Sequence, residues 1–447
     1  MTKRKDEEDI KMKNILRIDF ENITGKIKPM HAINNPPTVP SDRYGLYEKL
    51  KEANIPYARL HDTGGVFGGA RYVDVENIFT DFGADENDPA SYDFAFTDKL
   101  LGSMDEIGLK PFYRLGPTIE NNHKIKAYHI FPPADPHKWA RICEHIIMHY
   151  NEGWAEGCRF GIEYWEIWNE PDNEPEIGDN PMWKGTQEEF FELYDITARH
   201  LKTRFPNLKI GGYASCGFYA LSDADFSETA HSTSRVGYFV EFFHNFFGYI
   251  GAKKTPLDFF SWHSYAGLKE NVTYAAYAEK KLAEYGYGGA EVIFNEWNPG
   301  IQNRGKAIDA SNIAAMMCAM QKTSTDMCMY YDGQIHSSYC GLFSGDFHRV
   351  FKAYYAFWAF GQLYAQKNEV FSDTNADGVY VCAASGDKKM ALIVNSKGSS
   401  VDIRLEAPGV LQCFATDEAH ENEEITINPN ENILTLPPYA VWLLIFA

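Results

Sequence analysis

Two glutamates, each directly after an asparagine, close strand-like runs that lie far apart in the chain. The first run is Tyr164-Trp165-Glu166-Ile167-Trp168-Asn169-Glu170-Pro171 and the second is Val292-Ile293-Phe294-Asn295-Glu296-Trp297-Asn298. A carboxylate among aromatic strand residues is costly to desolvate, so the placement points to chemistry. A lone glutamate after a strand is ordinarily a loop residue or a helix cap. Two of them suit the cutting of a glycosidic bond, in which one carboxyl group attacks the anomeric carbon while the other protonates the leaving oxygen and later deprotonates water. A reaction with retention places the two groups roughly 5–5.5 Å apart. The negative charge of the nucleophile is expected to raise the pKa of the acid.

Such a pair needs a scaffold that brings two distant strand ends together. Short apolar runs recur at Pro29–Ile33, Ile55–Leu60, Leu109–Leu115, Gly161–Trp168, Leu208–Tyr213, Leu257–Trp262, Val292–Phe294 and Met327–Tyr331. Amphipathic stretches of helical length separate them, among them Asp98–Ile107, Pro136–Tyr150, Thr186–Arg204, Ser234–Ile250, Asn271–Tyr285 and Ala310–Thr323. Eight strand-helix units predict an α/β chain with a (β/α)₈ TIM barrel over residues 25–360. A doubly wound sheet is the alternative, but no Gly-rich phosphate loop follows the first strand. On this count Glu170 ends the fourth strand and Glu296 the seventh, and catalytic groups of such barrels sit at the C-terminal strand ends. After about residue 360 short strands and turns take over, with turn signals at Asp377-Gly378 and Asn395-Ser396-Lys397-Gly398, which predicts an antiparallel β-sandwich over 361–447. Residues 1–24 form a separate N-terminal segment whose strand Ile15–Phe20 is expected to join that sandwich.

Composition narrows the function classes. The formal charge is −20, from 62 acidic and 42 basic residues, which argues against nucleic acid or an anionic membrane as partner. Eight scattered cysteines with no Cys-x-x-Cys pair read as reduced thiols. The charged start Met-Thr-Lys-Arg-Lys leads into no apolar stretch, so no secretory signal is read and a cytoplasmic enzyme is expected. His61 with Asp62, His129, His263 and His336 lacks the spacing of a metal site, and no metal or cofactor is called for. The expected partner is a small oligosaccharide or glycoside, with a homo-oligomer left open.

The two Asn-Glu segments resemble the acid/base and nucleophile motifs of clan A retaining glycoside hydrolases, and the chain is most similar to family 39, known for β-xylosidases and α-L-iduronidases. Arg59-Leu60-His61-Asp62, Asp258-Phe259-Phe260-Ser261-Trp262-His263-Ser264-Tyr265, Gly341-Leu342-Phe343 and Lys352-Ala353-Tyr354-Tyr355-Ala356-Phe357 extend the likeness over most of the barrel. The resemblance implies Glu170 as acid/base and Glu296 as nucleophile. It further implies Asn169 on the sugar 2-hydroxyl, His61 and His263 on ring hydroxyls, Tyr265 on the nucleophile carboxylate, and Trp297 beside the substrate. Two departures bear on specificity. Arg114-Leu115-Gly116-Pro117 replaces an acidic and an aromatic residue, so Arg114 could read a substrate carboxylate or pair internally with an acid such as Glu120. Tyr330-Tyr331-Asp332 stands where a tryptophan platform is usual. The resulting expectation is an exo-acting retaining enzyme on short oligosaccharides, foremost a β-xylosidase. A β-galactosidase, α-L-arabinosidase or uronidase, or a silent carbohydrate-binding protein, are the alternatives.

Overall fold

The computed structural model describes residues 14–37, 45–61, 73–119, 130–221, 235–335, 337–346, 349–427 and 432–447. Asp62, Glu120, His129 and His336 lie outside the described residues. After a long first strand, β1 (Ile15–Lys26), eight parallel strands close into a barrel: β2 (Ala32–Asn34), β3 (Tyr57–Leu60), β4 (Lys110–Leu115), β5 (Tyr164–Ile167), β6 (Lys209–Ser215), β7 (Phe259–Ser264), β8 (Glu291–Trp297) and β9 (Met327–Tyr330). β9 pairs with β2 to complete the ring. Helices Leu46–Glu52, Ala95–Glu106, Pro136–Asn151, Gln187–Arg204, Arg235–Lys253, Leu268–Glu284, Ala307–Gln321 and Lys352–Gln366 follow the eight strands in turn.

Local chemistry starts these helices where the sequence says it should. Thr186 and Glu189 form a reciprocal capping box at the fourth crossover helix, with each side chain bonded to the other's backbone N–H. Asp135 caps the helix that Pro136 opens, accepting from the backbone of His137 and Lys138.

Side-chain alternation along the strands fills the barrel in layers. Ala32, Tyr57, Phe112, Tyr164, Phe259, Ile293, Met327 and Met329 form an apolar floor. Two residues further along six of these strands the interior turns polar, with Asn34, Arg59, Arg114, Glu166, Ser261 and Asn295 fully buried. Two further still come His61 and His263. The floor excludes water from below, so the polar layer must satisfy itself, and this is what supports the site above it.

The C-terminal strands are β10 (Asn368–Thr374), β11 (Val379–Ser385), β12 (Lys389–Asn395), β13 (Val401–Glu406), β14 (Val410–Thr416), β15 (Glu421–Ile425), β16 (Ile433–Leu436) and β17 (Val441–Phe446). With β1 they make a nine-stranded sheet in the order β15-β14-β17-β12-β11-β10-β1-β13-β16, antiparallel except where β1 meets β13. β1 runs on past the predicted Phe20, pairing with β10 as far as Lys26 opposite Asn368. β12 and β17 are buried on both faces. Leu392 and Leu443 belong to the core shared with the barrel, whereas Ile393 and Leu444 belong to the sheet's own cluster. Two-sided burial is why both strands read as unbroken apolar runs. The helix Ala307–Gln321 lies between barrel and sheet and is apolar nearly all round for the same reason. Among the described residues no helix is long and apolar enough to cross a membrane. All eight cysteines are free thiols.

Candidate active site

The polar layer centres on Arg59. Its Nε donates to Glu166 at 2.7 Å, its Nη1 to Asn34 at 3.1 Å and to Glu296 at 3.3 Å, and its Nη2 to Asn169 at 2.6 Å. Glu166 also accepts from Ser261 Oγ and Asn295 Nδ2, each at 2.6 Å. A fully buried guanidinium is tolerable only when its fork is spent in this way. The buried salt bridge thereby grips three groups at the mouth: Asn169, Glu296 and the strand carrying Asn295.

Glu296 lies within β8, while Glu170 lies three residues beyond β5 on a sharply turned segment. Trp168 and Glu170 have φ values of 73° and 45°, a left-handed conformation that costs on the order of 1–3 kcal/mol for non-glycine residues and concentrates at functional sites. The backbone holds it in place, with Glu170 N–H donating to the Ala214 carbonyl at 3.0 Å. The loop after β6 also approaches closely: Gly217, at φ 95°, passes where a Cβ would stand 2.1 Å from the His263 carbonyl oxygen.

The two carboxylates face one cavity of about 570 Å³, shared with His61, His263, Tyr265, Asn173, Arg235, Tyr219, Tyr331 and Tyr339. His263 Nδ1 stands 2.8 Å from Glu170 Oε1 and 3.6 Å from Glu296 Oε2. The Tyr265 hydroxyl donates to Glu296 Oε1 at 2.7 Å. Asn173 Nδ2 donates to Glu170 Oε2 at 2.8 Å, and Arg235 orients that amide by donating to its Oδ1 at 2.7 Å. One atom from each of Glu170, His263 and Glu296 lies within 4.8 Å of the others, a spacing that could also hold a metal ion. Arg59 already supplies a cation on the Glu296 side of the trio.

Electrostatics in the cavity run against the sequence expectation of a raised acid. Burial pushes Glu170 up, but the hydrogen bonds from His263 and Asn173 outweigh it, and its pKa lies below the ordinary carboxyl value. Burial also pushes Glu296 up, and with the charge of Glu170 it prevails over His263, Arg59 and Tyr265, so Glu296 lies above the ordinary value. Burial depresses His263, yet the charges of Glu296 and Glu170 leave it raised. The inversion follows from position, because the imidazole leans on Glu170.

Other predicted residues fall elsewhere. Asn169 is buried and does not line the cavity; its Oδ1 is held by Arg59. Trp297 does not line the cavity; it is buried, stacked along Phe294 and edge-on to Tyr330, because its β8 position points into the barrel–helix core. Arg114 is fully buried and paired internally through its Nη2. It pairs with Asp74, which closes the choice in favour of an internal partner, and donates to the His61 carbonyl at 2.8 Å and to Thr118 Oγ1 at 3.0 Å. Among the described residues the arginine that does line the cavity is Arg235. Sequence reasoning missed it along with Asn173, Tyr219 and Tyr339, since no motif marks them. Tyr331 fills part of the wall at the end of the eighth barrel strand, the place of the missing tryptophan.

Asp172 lies behind Glu170, accepting from Ser215 Oγ at 2.9 Å and from Cys216 N–H at 3.1 Å. Burial, then the charge of Glu170, pushes it up to about 7. A carboxyl that binds its proton more tightly when folded makes stability fall as pH rises from the unfolded value to the folded one. Asp172→Asn should therefore remove a loss of roughly 3–5 kcal/mol between about pH 4 and 7. Urea unfolding at pH 5 and pH 8 checks it: the variant should gain on the parent by about 2–3 kcal/mol more at the higher pH.

Comparison with known proteins agrees with this architecture. A β-xylosidase of Geobacillus stearothermophilus is 27% identical over 213 residues, 45% of this chain but only 34% of that protein. A β-xylosidase of Caldicellulosiruptor saccharolyticus is 23% identical over 365 residues, 72% of this chain and 68% of that protein. The fold superposes on a glucosidase from Croceicoccus marinus with a TM-score of 0.74 at 19% identity, covering 96% of this chain and 97% of that one. It also superposes on a family 39 β-xylosidase from Caulobacter crescentus with a TM-score of 0.64 at 17% identity, covering 97% and 99%. The family model for glycosyl hydrolases family 39 matches residues 67–294, half of the chain, spanning Glu170 and stopping two residues short of Glu296, and the chain belongs to that family.

Proposed function

We propose that the protein is a retaining, exo-acting glycoside hydrolase that releases a terminal sugar from short oligosaccharides, foremost a β-xylosidase. The observation that carries the mechanism is the approach of carboxylate oxygens of Glu170 and Glu296 to within 4.8 Å across one cavity. That spacing favours a retaining pair over an inverting one, whose carboxyl groups stand roughly 6.5–9.5 Å apart to seat a water between them. The likeness to two β-xylosidases supports xylose. The cavity volume of about 570 Å³ suits a short saccharide.

Glu296 is the nucleophile on this proposal. The Tyr265 hydroxyl and Arg59 grip its two oxygens, and it is the more enclosed of the pair. Glu170, slightly more open, exchanges protons with solvent. A sugar entering between them develops positive charge at the anomeric carbon facing Glu296. That charge favours ionised Glu296 and leaves the shared proton on Glu170, reversing the order that the cavity sets by itself. Arg59 fixes the Asn169 amide so that its NH₂ is the end left to bond a sugar hydroxyl. A uronide reading finds no support from Arg114, whose guanidinium is internal.

The test is the leaving group. Glu170→Ala should lose roughly 10²–10⁴-fold in kcat/KM on an alkyl or sugar leaving group, and far less on a dinitrophenyl glycoside that departs without protonation. Equal losses on both would remove Glu170 from the acid role. NMR of the first-formed anomer should show retention, and a panel of aryl xyloside, arabinoside, galactoside, glucoside and glucuronide should show the xyloside turned over fastest.

A further inference from the structure

A second cavity, of about 650 Å³, lies at the opposite end of the barrel from the catalytic carboxylates. Its walls come from the starts of β3 and β4 and from the two places where the chain crosses between barrel and sheet. At these crossings Lys26 pairs with Asn368, and Ile27 N–H donates to the Lys367 carbonyl at 2.9 Å. Cavities at domain junctions are common ligand sites.

The lining is chemically distinctive. Four lysines, Lys26, Lys51, Lys110 and Lys367, line it, and among the described residues no aspartate or glutamate does, in a chain where acidic residues outnumber basic ones by 62 to 42. Among the described residues Lys51 has only Glu48 at 3.8 Å as an ion-pair partner. Lys110 lies with its Nζ 5.5 Å from the centre of the Tyr57 ring. The floor is apolar, built on the buried Ile27 and Ile55 and flanked by Tyr57 and Tyr364. Lys367 adds an independent sign. Its backbone sits at φ 73° and ψ −47°, a conformation in which glycine is at ease and a side chain is strained. A lysine stands there nonetheless, at some conformational cost.

We propose that this cavity binds an amphipathic organic anion: an apolar or aromatic ring body carrying a carboxylate, sulfate or phosphate. The rings would displace water from the isoleucine and tyrosine floor. The anionic group would face the lysines that line the cavity. The site stands apart from the catalytic cavity and does not depend on which sugar that cavity takes.

The probe is 8-anilinonaphthalene-1-sulfonate, titrated by fluorescence against the folded protein. One molecule should bind per chain. Lys110→Gln/Lys367→Gln should weaken binding about tenfold, the sum of two modest charge contributions, while aryl glycoside turnover is unchanged. The neutral analogue N-phenyl-1-naphthylamine should bind more weakly than the sulfonate to the parent and equally to parent and variant. Three results would each overturn the proposal: equal sulfonate affinity in parent and variant, equal or tighter binding of the neutral probe to the parent, or displacement of the sulfonate by xylose. The first two would mark a charge-independent apolar patch, and the third would mark the catalytic cavity.

Discussion

Glu296→Ala is expected to lower turnover of an aryl glycoside on the order of 10⁵-fold, the scale on which nucleophile removal acts in other hydrolases, equivalent to roughly 7 kcal/mol of transition-state stabilisation. The loss should come without unfolding. Glu296 is a buried carboxyl held above its ordinary pKa by burial, so its removal takes away a desolvation penalty, and the melting temperature should hold or rise. The space left lies between Tyr265, Arg59 and His263, and a small anion can enter it. Added azide should therefore restore activity and give a glycosyl azide of inverted configuration, identified by NMR. The same experiment on Glu170→Ala should give an azide product with configuration retained, because there the anion attacks the glycosyl-enzyme from the side of the lost base. Should the inverted product come from Glu170→Ala instead, the roles are exchanged, as the pKa directions of the cavity taken alone would have them.

Arg59→Met should be the most damaging change to stability. Glu166 is 0% exposed and would keep only Ser261 and Asn295 as donors. Leaving a buried charge without its partner costs about 3–5 kcal/mol, measurable as a drop in the urea midpoint. Activity should fall independently. Asn169 loses the bond that sets its amide orientation, and Glu296 loses a positive neighbour that lowers its pKa. With that charge gone the Glu296 pKa rises further, so the acidic limb of the kcat/KM profile moves to higher pH. A second change separates the two effects. Arg59→Met/Glu166→Gln removes both charges and should recover much of the stability but little of the activity. A single-variant loss below about 1 kcal/mol would contradict a structural role for the pair.

The eight barrel strands were legible because a parallel strand covered on both sides is a short apolar run between helical stretches. Counting those runs sufficed to put Glu170 and Glu296 at the fourth and seventh strand ends. Arg59 was visible in a motif but its work was not. Its partners come from β2, β5 and β8, up to 237 residues away, and only closure of the ring brings them together. Arg114 shows the same limit. Its acid is Asp74, 40 residues earlier and after β3, whereas nearness in sequence pointed to Glu120. Trp297 misled because an aromatic beside a catalytic residue suits a sugar platform as well as a core. A register shift after Phe294 lets Asn295 and Glu296 both face the barrel interior, and it leaves the tryptophan turned outward into the core between barrel and helices.

By itself the sequence determined the barrel, the two catalytic candidates and the family likeness, because each rests on strand periodicity or on residues adjacent along the chain. Tertiary structure decided which arginine lines the cavity, how the buried charges pair, which carboxyl the imidazole favours and where four lysines meet beneath the barrel. Those depend on distances across the ring and on loss of water, and neither quantity is written along the chain.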